Sequence, residues 1–320
     1  MSDSNETISL LCDSFLENRE VLRSYFGRED VPVYPTCAAV FTERQKAATE
    51  EHLIHCREVL KSGDSPSEFR GAAIVPVICI MAADENPHEK LHRAQACFGA
   101  LRETFSGSPY LAMTSLVASD MLDESQYGEL SARAGHIHDL LCKRRFLTED
   151  DDGSMAATFL AAADLFRNPG SSQSEAVWNT EVCFTELTNE FFLDDAIRAQ
   201  SVILAYGEGD PKERAARMME LYEIIHKRNS HLGDGFDSGV FAFLSLLPGD
   251  LHAIANDVFA AEKILAKRKG YTGIRSLNKT SLLIHSAMMA AIKGVFENDF
   301  LWEAQKATMC IAMAAMVNNL

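Results

Sequence analysis

"GAAIVPVICIMAADENPHEKLHRAQACFGALRETF", residues 71–105, holds the pattern that decides the fold. Its first half is small and apolar with hardly a polar face. From Pro87 onward, Leu91, Ala94, Phe98 and Leu101 recur at helical spacing and share one side. The stretch therefore predicts a helix A sandwiched on every side, followed by a helix B with one wet face.

The punctuation between the two is equally readable. Asn86 is a good N-cap, Pro87 suits the first helical position, and Glu89 at the third can bond back to the cap. The same grammar returns at Asp210, Pro211 and Glu213. There "PKERAARMMELYEIIHKRN" aligns with "PHEKLHRAQACFGALRETF" and sets Ala215, Met218, Tyr222 and Ile225 on the equivalent face.

The A segments also repeat. "GAAIVPVICIMAADENP" from Gly71 matches "GSMAATFLAAADLFRNP" from Gly153, each opening on Gly and closing on Asn-Pro. Related segments start at Tyr110, Ala196, Ser238 and Ser281, a spacing of about 40 residues, the size of one helical hairpin in a repeat array. "YGELSARAGHIHDLLCKRR" and "DLHAIANDVFAAEKILAKRK" supply further B helices. Strand signal is confined to "VPVYP", residues 31–35, whose prolines make it a connector. Pro76 inside the first A segment is expected to kink that helix. The fold class is all-α: stacked antiparallel helical hairpins, α-solenoid-like or a curved α/α array, of about a dozen helices. Residues 1–320 read as one all-helical domain, with N-terminal helices over 1–66 and hairpin repeats over 67–320; "SGDSPSE", residues 62–68, is a loop.

Bulk properties limit the function classes. Lys plus Arg total 30 against 46 Asp plus Glu, for a formal charge of -16, which argues against a nucleic-acid binder needing a basic footprint. The eight cysteines are scattered with no C-x-x-C pair and read as reduced thiols of a cytoplasmic protein. The acidic amphipathic start lacks the form of a signal peptide, and the longest apolar runs are too short for a bilayer span, so no membrane role is expected.

Several near-motifs carry chemistry in other contexts. His88-Glu89-Lys90-Leu91-His92 matches the H-E-x-x-H pattern of zinc hydrolases, but capping explains Glu89, and Glu103, three turns on along the same helix, cannot complete the site. His52, His55 and Cys56 share helical spacing, as do His138 and Cys142, without an assignable fourth ligand. "GIRSLNKT", residues 273–280, approximates a phosphate loop but has Asn278 where the second glycine should be. The basic clusters Lys143-Arg144-Arg145, Lys227-Arg228 and Lys267-Arg268-Lys269 close B helices, where cations favour the exposed carbonyls. Glu149 to Asp152 are expected to offset the first cluster. No catalytic, cofactor-binding or metal-binding residues are assigned.

The chain resembles, over nearly its whole length, a bacterial family known only as domain of unknown function four thousand and three. The resemblance rests on "LLCDSFLENREVLRSYFG", on "EFRG" before an apolar helix, on "ILAYGEGDPKERAARMMELYEII" and on "GYTGIRSLNKTSLLIHSAMM". The chain departs from the family's pattern at Asn278-Lys279 and at Pro76. The resemblance implies an all-helical fold and transfers no activity. The leading expectation is a protein- or peptide-interaction scaffold, since stacked hairpins form an extended surface. The alternative is a small-ligand binder or enzyme with a pocket formed by A-helix ends, where Asp84, Asp120, Asp164, Glu208 and Asp237 recur.

Overall fold

The computed structural model describes residues 2–27, 33–62, 65–146, 153–167, 172–190, 195–228, 239–272 and 279–297. In chain order its helices are α1 (Ser2–Phe26), α2 (Val33–Glu43), α3 (Glu50–Ser62), α4 (Ser67–Arg70), α5 (Ile74–Ala82), α6 (Pro87–Leu101), α7 (Pro109–Met121) and α8 (Tyr127–Lys143). There follow α9 (Ser154–Arg167), α10 (Gln173–Thr188), α11 (Asp195–Ala205), α12 (Pro211–Arg228), α13 (Val240–Leu246), α14 (Leu251–Leu265) and α15 (Lys279–Glu297). Among the described residues there is no strand, only an isolated bridge from Lys269 to Thr272. The all-α class and the stacked hairpins are as the sequence predicts.

The hairpins form two concentric layers. The inner helices α2, α5, α7, α9, α11, α13 and α15 pack side by side, and the outer helices α1, α3, α6, α8, α10, α12 and α14 pack around them. The curvature runs to completion: α15 packs against α2, and α14 against α1, so the array closes into a ring. The A and B readings map onto these layers. In α7 every residue from Leu111 to Ser119 is buried, whereas α6 buries Leu91, Ala94, Phe98 and Leu101 along one face.

Short turns between the layers depend on local chemistry. Asn86 caps α6 by accepting from the Glu89 N–H at 3.3 Å, while its side-chain amide donates to the Glu89 carboxylate at 3.2 Å. Ser108 caps α7 and Asp250 caps α14 in the same way. Gly209 (φ +81°) and Gly249 (φ +107°) take the left-handed conformation just before Asp210 and Asp250, which only glycine adopts without strain.

Two expectations about proline are corrected. Val33, Tyr34 and Pro35 open α2 instead of forming a connector, and Pro76 falls in the first turn of α5 instead of its interior. The reason is the same: the first four N–H groups of a helix have no intrahelical acceptor, so proline there removes no bond.

Candidate functional site

Because successive helices alternate in direction, the inner helices of the described residues run parallel, and their carboxy-terminal ends meet the first turns of the outer helices at one end of the ring. Parallel C-termini gather negative partial charge, and cations nearby offset it. The chain supplies these from the outer helices. Lys90 of α6 donates to the Leu116 carbonyl of α7. Arg214 of α12 donates to the carbonyls of Ala205, the last residue of α11, and of Gly207 just past it. Arg217 reaches those of Ser245, Leu247 and Gly249 at 2.8, 3.0 and 2.7 Å. Arg133 of α8 pairs with Asp164 of α9 at 2.9 Å.

Around α7 this pattern develops into a buried ion network. The Lys90 ammonium, 0 % exposed, lies 2.5 Å from Asp120 Oδ1, and the Arg44 guanidinium from the end of α2 lies 2.9 Å from Asp120 Oδ2. Arg93 stands 3.6 Å from Asp120 Oδ1; Asp84 and Glu43 flank Arg44 at 3.9 and 3.8 Å. Burial pushes the Asp120 carboxyl up, but Lys90 and Arg44 outweigh it and hold Asp120 below its ordinary value. For Lys90 burial dominates and lowers the ammonium, with Asp120 opposing. For Arg44 burial opposes the charge and Asp120 overcomes it.

Arg93 differs from its counterpart. It stands at the same place in α6 as Arg217 does in α12, six residues past the helix-opening proline. Arg217 spends Nε and Nη2 on helix-end carbonyls. Arg93 is 38 % exposed, shares Asp120 with Lys90, and its buried Nε has no hydrogen-bond partner among the described residues.

Of the acids read from the sequence, the fold brings Asp84 and Asp120 together through Arg44, gives Asp164 to Arg133 and leaves Glu208 exposed. Asp237 lies outside the described residues. So do Glu149 to Asp152 and, in the phosphate-loop match, residues 273–278, while Lys279 and Thr280 open α15. The cations Arg44, Lys90, Arg93 and Arg133 were not singled out from sequence as site residues. A signal was present: aligning Pro87 with Pro211 sets Lys90 over Arg214 and Arg93 over Arg217, a repeated cation pair.

The histidine motifs do not assemble. His88 and His92 both lie on α6, and Glu89 is engaged by Asn86. His52 and His55 are exposed while Cys56 is buried, so the thiol faces away from them. In α8 the His138 ring lies 3.8 Å from the Cys142 sulfur through Nε2. Among the described residues no group of three or more His, Cys, Asp and Glu side chains converges as a metal site.

A second buried constellation sits where the ring closes. A 2.6 Å hydrogen bond joins the Tyr271 hydroxyl to His285 Nδ1, Phe15 of α1 packs 5.6 Å from the His285 ring, and Arg19 covers the Tyr271 ring at 5.4 Å. Burial, and then Arg19, lower the His285 pKa to about 3.

A closed ring of α/α hairpins with an ion network at one end makes this an all-α toroidal protein. The chain belongs to the family described as protein of unknown function (DUF4003), whose model matches residues 26–319. No curated protein and no solved structure matches it.

Proposed function

We propose that this protein binds a small anionic ligand, bearing a carboxylate or phosphate group, at the carboxy-terminal end of its inner ring, with Arg93 as the anchoring residue and Arg44 beside it. The observation that carries the reading is the contrast between Arg93 and Arg217: each stands six residues past a helix-opening proline, but Arg217 spends Nε and Nη2 on helix-end carbonyls while Arg93 makes only a 3.6 Å ion pair with Asp120 and stays 38 % exposed. Guanidinium donors in a partly desolvated setting favour carboxylate and phosphate through charge-assisted, often bidentate hydrogen bonds. Lys90 and Asp120 are each other's partners behind it, which suits holding Arg93 in place more than turnover.

Ring closure supports this reading over an open scaffold, because a closed array lacks the free concave surface along which solenoids take extended peptides. A protein partner on the outer wall is the second reading, favoured by the exposure of Trp178 on α10 (51 %). A cytoplasmic location is part of the proposal; it is supported by the seven free cysteines of the described residues, six of them buried, and among the described residues no helix is long and apolar enough to cross a membrane.

The test is calorimetry and thermal shift with inorganic phosphate, citrate and glutamate. Saturable binding that Arg93→Gln abolishes supports the proposal. Equal responses in wild type and Arg93→Gln, or none in either, overturn it.

A further inference from the structure

We infer that His55 and His88 form a two-histidine site for a divalent transition-metal ion on the outer wall, spanning α3 and α6. The two residues are 33 positions apart (88 minus 55) and their helices are neighbours in the outer layer. Both side chains are exposed, and their ring centroids stand 5.7 Å apart with the planes at 66°.

That separation fits a shared ion. With metal–nitrogen bonds of about 2.0–2.1 Å, each ring centroid lies roughly 3.2 Å from the ion, so a tetrahedral angle puts the centroids roughly 5.2 Å apart, and a side-chain shift of about half an ångström brings this pair onto one metal. Exposed imidazoles suit zinc, nickel and copper. With no third protein ligand converging among the described residues, water fills the remaining positions, and the ion exchanges readily instead of being retained through purification. The site is distinct from the H-E-x-x-H pattern: it uses His88, takes its second ligand from α3 instead of His92, and leaves Glu89 in its cap.

The alternative pair is His88 with His92, one turn apart on α6 and also able to chelate. Variants separate the two. Zn²⁺ and Ni²⁺ are titrated calorimetrically into tag-free full-length protein in non-coordinating buffer. Since loss of even an outer-shell partner costs about 10- to 100-fold in metal affinity, removing a ligand by His55→Ala or His88→Ala is expected to weaken binding by at least about tenfold. His92→Ala is expected to leave it unchanged. All three positions are exposed, so the variants fold. Absence of saturable binding in wild type overturns the inference, as does binding that survives His55→Ala or is lost in His92→Ala.

Discussion

Arg268, three residues past the end of α14, lies 2.5 Å from Asp13 of α1 across 255 positions of sequence. It is one of a set of contacts in which the basic end of an outer helix reaches the next outer helix: Arg144 to Glu181 at 2.6 Å, and Arg228 to Asn256 at 3.0 Å. The basic clusters that close the B helices thus link neighbours around the wall as well as meeting their own helix ends.

The pair at the closure is half exposed, so its coupling is expected to be below about 1 kcal/mol in a double-mutant cycle. Apolar packing holds the seam instead. Phe15 is fully buried against His285, and Phe15→Ala is expected to cost about 3–5 kcal/mol by the lost transfer energy and the cavity left behind. Denaturant midpoints of Asp13→Asn, Arg268→Met, their double variant and Phe15→Ala measure both quantities. A seam held by charge gives the reverse order.

In the ion network the two partners of the short pair are not equivalent. Lys90→Met leaves Asp120 with Arg44, whereas Asp120→Asn leaves Lys90 and Arg44 without their shared carboxylate. Breaking a buried pair costs about 3–5 kcal/mol when a charge is stranded, so Asp120→Asn is expected at that level and Lys90→Met below it. Urea unfolding ranks them. Equal destabilisation argues against Asp120 as the hub.

Stability is expected to fall in acid partly through His285. Its folded pKa of about 3 lies below the ordinary 6.5, so between those values the unfolded chain binds a proton that the folded chain does not. Stability therefore rises with pH across this window, and the contribution is lost progressively as pH falls from about 6.5 toward 3. Arg19 and the Tyr271 hydroxyl face the ring, and neither offers a negative charge to hold an imidazolium. In His285→Gln the slope of unfolding free energy against pH should flatten over this range. An unchanged slope means His285 takes up its proton without unfolding.

The carboxylate of Asp210 accepts from the Lys212 N–H at 2.8 Å at the start of α12. Asp210→Ala is expected to cost about 1 kcal/mol, the usual worth of an N-cap. A null result in thermal denaturation would remove the capping role given to the Gly209-Asp210 turn.

Purified protein is expected to hold less than one zinc per chain, since His88 and His92 have no third ligand among the described residues. Elemental analysis after chelator-free purification checks this. One tightly held zinc, lost on changing either residue, makes metal-assisted hydrolysis the leading function.

Local rules made the helices legible. The 3.6-residue spacing of Leu91, Ala94, Phe98 and Leu101, the Asn-Pro and Asp-Pro starts, and the unbroken apolar run of α7 each follow from short-range sterics, capping and burial, so the sequence by itself determined the all-α class, the alternation of sandwiched and half-wet helices, and the family. Proline misled where position within the first turn, not residue type, decided the outcome, as at Pro35 and Pro76. Only the tertiary structure decided that the array closes. The rotation from one hairpin to the next is a sum of small packing angles at many interfaces, and no single residue encodes it. Closure in turn brings Arg268 to Asp13, while curvature within the array brings Arg44 to Asp120, 76 positions away, and His55 to His88. These partners come from different hairpins, and the chemistry of the candidate sites lies in those distances, which no local pattern carries.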